Sequence, residues 1–146
     1  MGEDSVFMVG YGTFITNETY LNSKNVKVCI VPKHRRLWLK TTIFPFILPD
    51  PTFPGIHALI FSINKAQLKN LDIYEGVEAG LYSREVISVQ DLKGNNFEAY
   101  IYIPTKKCIA EYELSLDKDP TDCWIEEIQK NSNIYEKYPQ LIKKLD

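Results

Sequence analysis

The chain is poor in the residues from which metal centres and redox frameworks are built. Histidine occurs twice, as His34 and His57, and cysteine three times, as Cys29, Cys108 and Cys123. No cysteines form a Cys-x-x-Cys pair, and no His, Cys or carboxylate group stands at metal-ligand spacing. Neither a zinc site nor a disulfide framework is expected, and His57 reads as a quiet residue in or beside a strand. Reduced thiols point to a cytoplasmic protein. The opening Met1-Gly2-Glu3-Asp4 is acidic and lacks the positive start of a secretory signal. No apolar run approaches the ~18 residues that cross a bilayer, so no membrane partner is expected.

A strong charge of either sign is missing as well. Seventeen Lys and Arg against 19 Asp and Glu leave a net charge of -2, which argues against nucleic acid as a partner. The one basic cluster, Lys33-His34-Arg35-Arg36, reads as a solvated turn. Familiar catalytic signatures are absent too. There is no Gly-x-Ser-x-Gly elbow. Gly10-Tyr11-Gly12 begins like a dinucleotide fingerprint, but Ile15 stands where that motif needs glycine, so no nucleotide cofactor is implied.

What is present suits an ordinary globular chain. It has 146 residues, 45% hydrophobic and 25% charged, enough for one domain over 1–146 with one core. Val6-Phe7-Met8-Val9 is a continuous apolar run, the pattern of a strand buried on both faces. A turn at Gly10-Tyr11-Gly12-Thr13 ends it, and a short helix capped by Thr16 is expected next. Val26 to Val31, Leu37 to Leu39 and Gly55 to Ser62 read as strands. The segment Pro45 to Pro54 holds four prolines among apolar residues and reads as a packed extended loop. Tyr82 to Val89 and Phe97 to Ile103 flank Lys93-Gly94-Asn95-Asn96, a hairpin pattern. Beyond Pro120 the chain turns helical through Trp124, Ile125 and Ile128, and an amphipathic piece from Pro139 to Leu145 closes it. Many strands with few helices, out of strict alternation, predict an α+β fold: a small mixed β-barrel with flanking helices.

Glu75 is the most informative residue. It ends a helix read from Lys65, with Asn64 as cap, Gln67 at capping-box spacing and Gly76 as stop. At ~100° per residue, with Leu68 at zero, Leu71 falls near 300°, Glu75 near 340° and Asp72 near 40°. Glu75 then points between leucines. A carboxylate aimed at a core is expensive unless something there uses it, which makes it a general-base candidate. From the helix alone, a glutamate bent out to water is an equally good reading. Gly10 and Gly12 bracket Tyr11 directly after a central strand. Glycines there let a ligand approach the backbone, whose successive N–H groups form an anion-binding concavity. A simple tight turn needs glycine as well.

Together these stretches resemble the gamma-glutamylcyclotransferase-like family. Val6 to Phe14 is similar to its strand and Tyr-Gly-Ser/Thr loop, and Leu71-Asp72-Ile73-Tyr74-Glu75-Gly76 to its Leu-Asp-x-x-Glu-Gly signature. Tyr82-Ser83-Arg84 is similar to the Tyr-x-Arg strand that follows, and Phe44-Pro45-Phe46-Ile47-Leu48-Pro49 with the strand from Gly55 to its middle section. The resemblance implies a small barrel with helices outside and a pocket over the Tyr-Gly-Thr loop. It implies cyclisation of a small gamma-glutamyl substrate to 5-oxoproline with release of the amine, and neither cofactor nor metal. Glu75 would be the catalytic glutamate, and Tyr11, Gly12, Thr13 and Phe14 the substrate-holding loop. Tyr82 and Tyr102 would line the wall or serve as core aromatics. Thr13-Phe14-Ile15 lacks the Asn that follows Gly-Ser in the branch acting on free gamma-glutamyl amino acids. Tyr-Gly-Thr is nearer the branch acting on gamma-glutamylamines. The same fold without turnover would be a small-ligand-binding protein, and an intact Glu75 favours the enzyme.

Overall fold

The polar-free run at Val6 to Val9 has no face to offer water. In the computed structural model it forms the middle of β1 (Ser5–Gly10), with Met8 and Val9 buried. The structure describes residues 5–23, 25–38, 45–115 and 122–145. Leu39, Phe44 and Pro120, which the sequence reading uses, lie outside them.

β1 pairs antiparallel with β5 (Gly55–Asn64), which pairs on its other edge with β2 (Lys27–Pro32). β2 pairs with β6 (Tyr82–Asp91), and β6 forms a hairpin with β7 (Asn96–Pro104). Met8 opposite Tyr100 then joins β7 to β1 in parallel. The order β1-β5-β2-β6-β7 closes a mixed barrel, as the sequence predicts. The hairpin turn is held by the Asp91 carboxylate, which accepts from the N–H groups of Lys93 and Asn95 at 2.9 Å each. Gly94 takes the left-handed conformation (φ +87°) that this turn requires.

Four local expectations are corrected. The short helix does not start at Thr16: α1 spans Thr13–Thr16 with Gly12 as its N-cap. The Gly12 carbonyl accepts from the N–H groups of Ile15 and Thr16, so the glycine loop runs straight into the helix. The strand read at Leu37 to Leu39 starts earlier, as β3 (His34–Leu37), and pairs with β4 (Phe46–Pro49). The basic cluster is therefore not a solvated turn. Lys33 alone makes the turn, at φ +56°, while Arg35 lies over the Phe53 ring and Arg36 is buried over Trp124. The proline-rich loop likewise contains β4. Phe46 and Leu48 join one apolar cluster and Ile47 the other, the two-residue period of a strand buried on both faces.

Helices cover the barrel. α2 (Lys65–Tyr74) starts with a complete capping box between Asn64 and Gln67. α3 (Lys106–Glu111) is capped by the Thr105 hydroxyl, which accepts from the Cys108 N–H. α4 (Asp122–Lys130) and α5 (Ser132–Lys137) bury Trp124, Ile128 and Ile134 in the larger core cluster. The tail is one 3₁₀ turn at Pro139–Ile142. Cys29, Cys108 and Cys123 are free thiols, and His57 sits in β5 with its Nδ1 2.9 Å from the Lys143 carbonyl. Among the described residues no helix is long and apolar enough to cross a membrane.

Candidate active site

The end of β1, the first turn of α1, the C-terminus of α2 and the barrel end of the β6–β7 hairpin converge on one cavity of about 280 Å³. Tyr11, Gly12, Thr13, Phe14, Glu75 and Tyr82 all line it. Every site residue named from the sequence therefore reaches the same space.

Glu75 owes its position to the way α2 ends. Gly76 adopts φ +70°, its N–H bonds to the Ile73 carbonyl, and the Val77 N–H reaches back to Asp72, each at 3.1 Å. This double closure is a Schellman motif. It fixes Glu75 as the last residue of helical conformation, on the side of Leu68 and Leu71, which pack into the core. Tyr74, about 100° round the helix, and Ile73, about 200° round, are 62% and 78% exposed. The Glu75 carboxylate has no hydrogen bond or ion pair among the described residues. Burial raises its pKa from 4.5 to about 7, because a desolvated carboxylate favours its neutral form.

The glycine loop lines the same cavity. A Cβ on Gly12 would lie 2.7 Å from Pro45 Cγ, and one on Gly10 would lie 2.9 Å from Phe14 Cβ. Both glycines are thus required by close packing. Gly12 offers its backbone N–H, which has no partner among the described residues. Tyr11 contributes its ring and backbone rather than a free hydroxyl, since its O–H donates to the Tyr102 carbonyl at 2.6 Å. Burial foremost pushes the Tyr82 and Tyr102 phenols well above their ordinary pKa, with the Glu75 charge adding at Tyr82 and the Asp72 hydrogen bond adding at Tyr102. They stay neutral O–H groups.

Sequence reading missed several supports. Asp72 accepts from the Tyr102 O–H at 2.6 Å and from Arg84 Nη1 at 2.7 Å, tying the end of α2 to β6 and β7. The signal was available: the same helical wheel puts Asp72 beside Glu75 on the inward face. Tyr74 and Leu81, chain neighbours of Glu75 and Tyr82, also line the cavity, and the packing of a distant segment brings Pro45 there. Arg36, behind the loop, donates to the Tyr11 carbonyl at 2.8 Å. Its setting in a run of cations gave the opposite impression.

Barrel, outer helices and cavity together define the gamma-glutamyl cyclotransferase-like class of small barrel proteins. The chain belongs to the family described as gamma-glutamyl cyclotransferase, AIG2-like, whose profile matches residues 8–126. No curated protein matches it by sequence. Solved structures share the fold. A protein from Arabidopsis thaliana has a TM-score of 0.64 at 17% identity, over 99% of this chain and 98% of that one. An AIG2-like protein from Mus musculus has a TM-score of 0.60 at 17% identity, over 82% and 91%. A gamma-glutamyl cyclotransferase specific to glutathione, from yeast, has a TM-score of 0.59 at 11% identity, over 86% and 78%. Family membership supports a gamma-glutamyl cyclotransferase-like function on small gamma-glutamyl substrates.

Proposed function

We propose that the protein converts a gamma-glutamyl amine or gamma-glutamyl amino acid to 5-oxoproline and free amine, with Glu75 as general acid and base. The carrying observation is a single desolvated carboxylate, unpaired and with its pKa raised to about 7, lining one cavity together with a glycine loop. At neutral pH such a group both takes and returns a proton, the property a general acid/base needs.

The chemistry follows from the residues. The substrate's α-ammonium loses a proton to Glu75, and the free amine attacks its own γ-carbonyl. Negative charge grows on the carbonyl oxygen, where the Gly12 N–H stabilises it. The C–N bond to the leaving amine breaks as that nitrogen takes the proton back from Glu75. The ring nitrogen then gives its second proton to the freed carboxylate, which passes it to the departing amine, so that the products are the lactam and an ammonium. One amide is exchanged for one lactam, and no water is consumed. The walls formed by Phe14, Tyr82 and Tyr102 hold the glutamyl chain curled, which turns ring closure into a proximity problem already solved. The Thr13-Phe14-Ile15 sequence favours gamma-glutamylamines over free gamma-glutamyl amino acids.

The test is a panel of gamma-glutamyl amines, gamma-glutamyl amino acids and glutathione, with 5-oxoproline release as readout. Release from at least one compound, strongest among the amines, is expected. No release from any of them, with 5-oxoproline still binding, would make the protein a ligand-binding member of the fold.

A further inference from the structure

Arg36 takes no part in the chemistry just described, yet it is only 8% exposed. No carboxylate pairs with it among the described residues. Its Nε donates to the Tyr11 carbonyl at 2.8 Å and its Nη2 to the His57 carbonyl at 2.9 Å. The guanidinium lies 4.0 Å from the centre of the Trp124 ring. Burial lowers its pKa to about 9, so it is still a cation at neutral pH. A buried cation with no anion is costly, and apolar side chains would fill the same volume more cheaply. Something must benefit from this one.

We propose that Arg36 is a positioning residue: its planar fork locks the Tyr11–Gly12 peptide so that the Gly12 N–H faces the cavity as the oxyanion donor. The inference rests on the cyclotransferase reading above. A trans peptide is planar, with its C=O and N–H pointing in opposite directions. The Tyr11 C=O is aimed at Arg36, so the Gly12 N–H points the other way. Arg36 does not line the cavity; it lines a separate cleft with His57 and Trp124. Gly12 does line the cavity. The loop therefore lies between the two, with the cation behind it and the reaction space in front.

The fork matters because it makes two contacts. The His57 carbonyl belongs to β5, the strand that pairs with both β1 and β2. Arg36 thereby sets the loop relative to the barrel, in a plane that a flexible ammonium does not fix. Pro45 packs against Gly12 closely enough to exclude a Cβ, and the Tyr11 O–H is tied to the Tyr102 carbonyl. A carbonyl hydrogen-bonded to a cation also polarises its peptide, which strengthens the N–H at the other end as a donor.

Arg36→Lys keeps the charge but replaces the planar fork with a rotatable ammonium, which does not fix the plane of either carbonyl. We expect kcat for 5-oxoproline release to fall on the order of 10²-fold, the usual effect of losing one oxyanion donor. KM should stay within about threefold, because the interaction belongs to the transition state. Ile128→Val, a fully buried residue of α4 that does not line the cavity, supplies a control for lost stability, and its kcat should match the wild type. An Arg36→Lys enzyme with wild-type kcat per folded molecule would overturn the proposal. Should that variant not fold, the Gly12 amide of the wild-type protein decides. Its nuclear magnetic resonance signal should shift on adding 5-oxoproline and become slower to exchange with solvent. A Gly12 amide that ignores saturating 5-oxoproline while the Leu81 and Phe14 signals move would overturn the lock. If no gamma-glutamyl compound is turned over by the wild type, the cyclotransferase reading fails separately. The Gly12 response then still tells whether that N–H faces a ligand in the cavity, without which Arg36 has nothing to position.

Discussion

Glu75 combines a position that the helix dictates with an ionisation that the surroundings dictate. Glu75→Gln keeps the shape and removes the base, so turnover should fall ~10²–10⁴-fold. Circular dichroism should show the fold intact, and near-wild-type turnover would remove Glu75 from the mechanism. The acid limb of the kcat profile should rise through about pH 7, where the carboxyl loses its proton, and a flat profile there would contradict that role. Stability moves the other way. Folding raises this pKa from 4.5 to about 7, so the native state holds the proton more tightly than the unfolded chain. The contribution is fully present below the unfolded value and is lost as pH rises through about 7. Glu75→Gln has nothing to ionise. Its melting temperature should gain on the wild type as pH is raised from about 5 to about 8, in line with that linkage. Glu75 was legible because a capping box and Gly76 bound its helix and the Leu-Asp-x-x-Glu-Gly resemblance chose between the inward and outward readings that the helix alone left open. Arg36 was not, because a cation's partners here are two carbonyls and an indole from distant segments, and neither spacing nor composition records those.

At the scale of elements, regular patterns translated well and short ones did not. The capping box, Gly76 and the hairpin turn are local chemistry, carried by a few adjacent residues, and the structure reproduces them. β3 and β4 are four residues each, too short to show a period. Prolines and cations at their ends suggested loops. The C-terminus of α2 depends on Asp72, which joins it to Tyr102 on β7 and Arg84 on β6. Asp72→Ala leaves the buried Tyr102 O–H without a partner, which costs about 1–3 kcal/mol, and frees the helix end that carries Glu75. Both melting temperature and kcat should fall. If Asp72 acts only by placing Glu75, adding Asp72→Ala to Glu75→Gln should lower the melting temperature but slow turnover no further. Full multiplication of the two rate effects would show that Asp72 has an independent part in the chemistry.

The whole molecule brings together what no segment holds alone. Barrel closure rests on the parallel contact of β1 with β7, Met8 opposite Tyr100, and the alternation of strands in the sequence gives the class but not that partner. The closed barrel brings the Gly12 loop and Glu75 to one cavity, and this bears on two outcomes for a gamma-glutamyl amide. A hydrolase needs a water or an enzyme nucleophile poised at the carbonyl. The thiol nearest the site electrostatically, Cys108, is buried, and burial foremost lifts its pKa to about 11, so it stays protonated and inert. The Thr13 hydroxyl lines the cavity but has no base hydrogen-bonded to it among the described residues, the activation such a nucleophile requires. The substrate's own α-amine is tethered to the γ-carbonyl by its carbon chain and needs only a base beside it. Reaction in ¹⁸O-labelled water should therefore yield unlabelled 5-oxoproline and one equivalent of free amine. Labelled glutamate as the main product would mean that water attacks the carbonyl, and cyclisation by Glu75 would have to be abandoned.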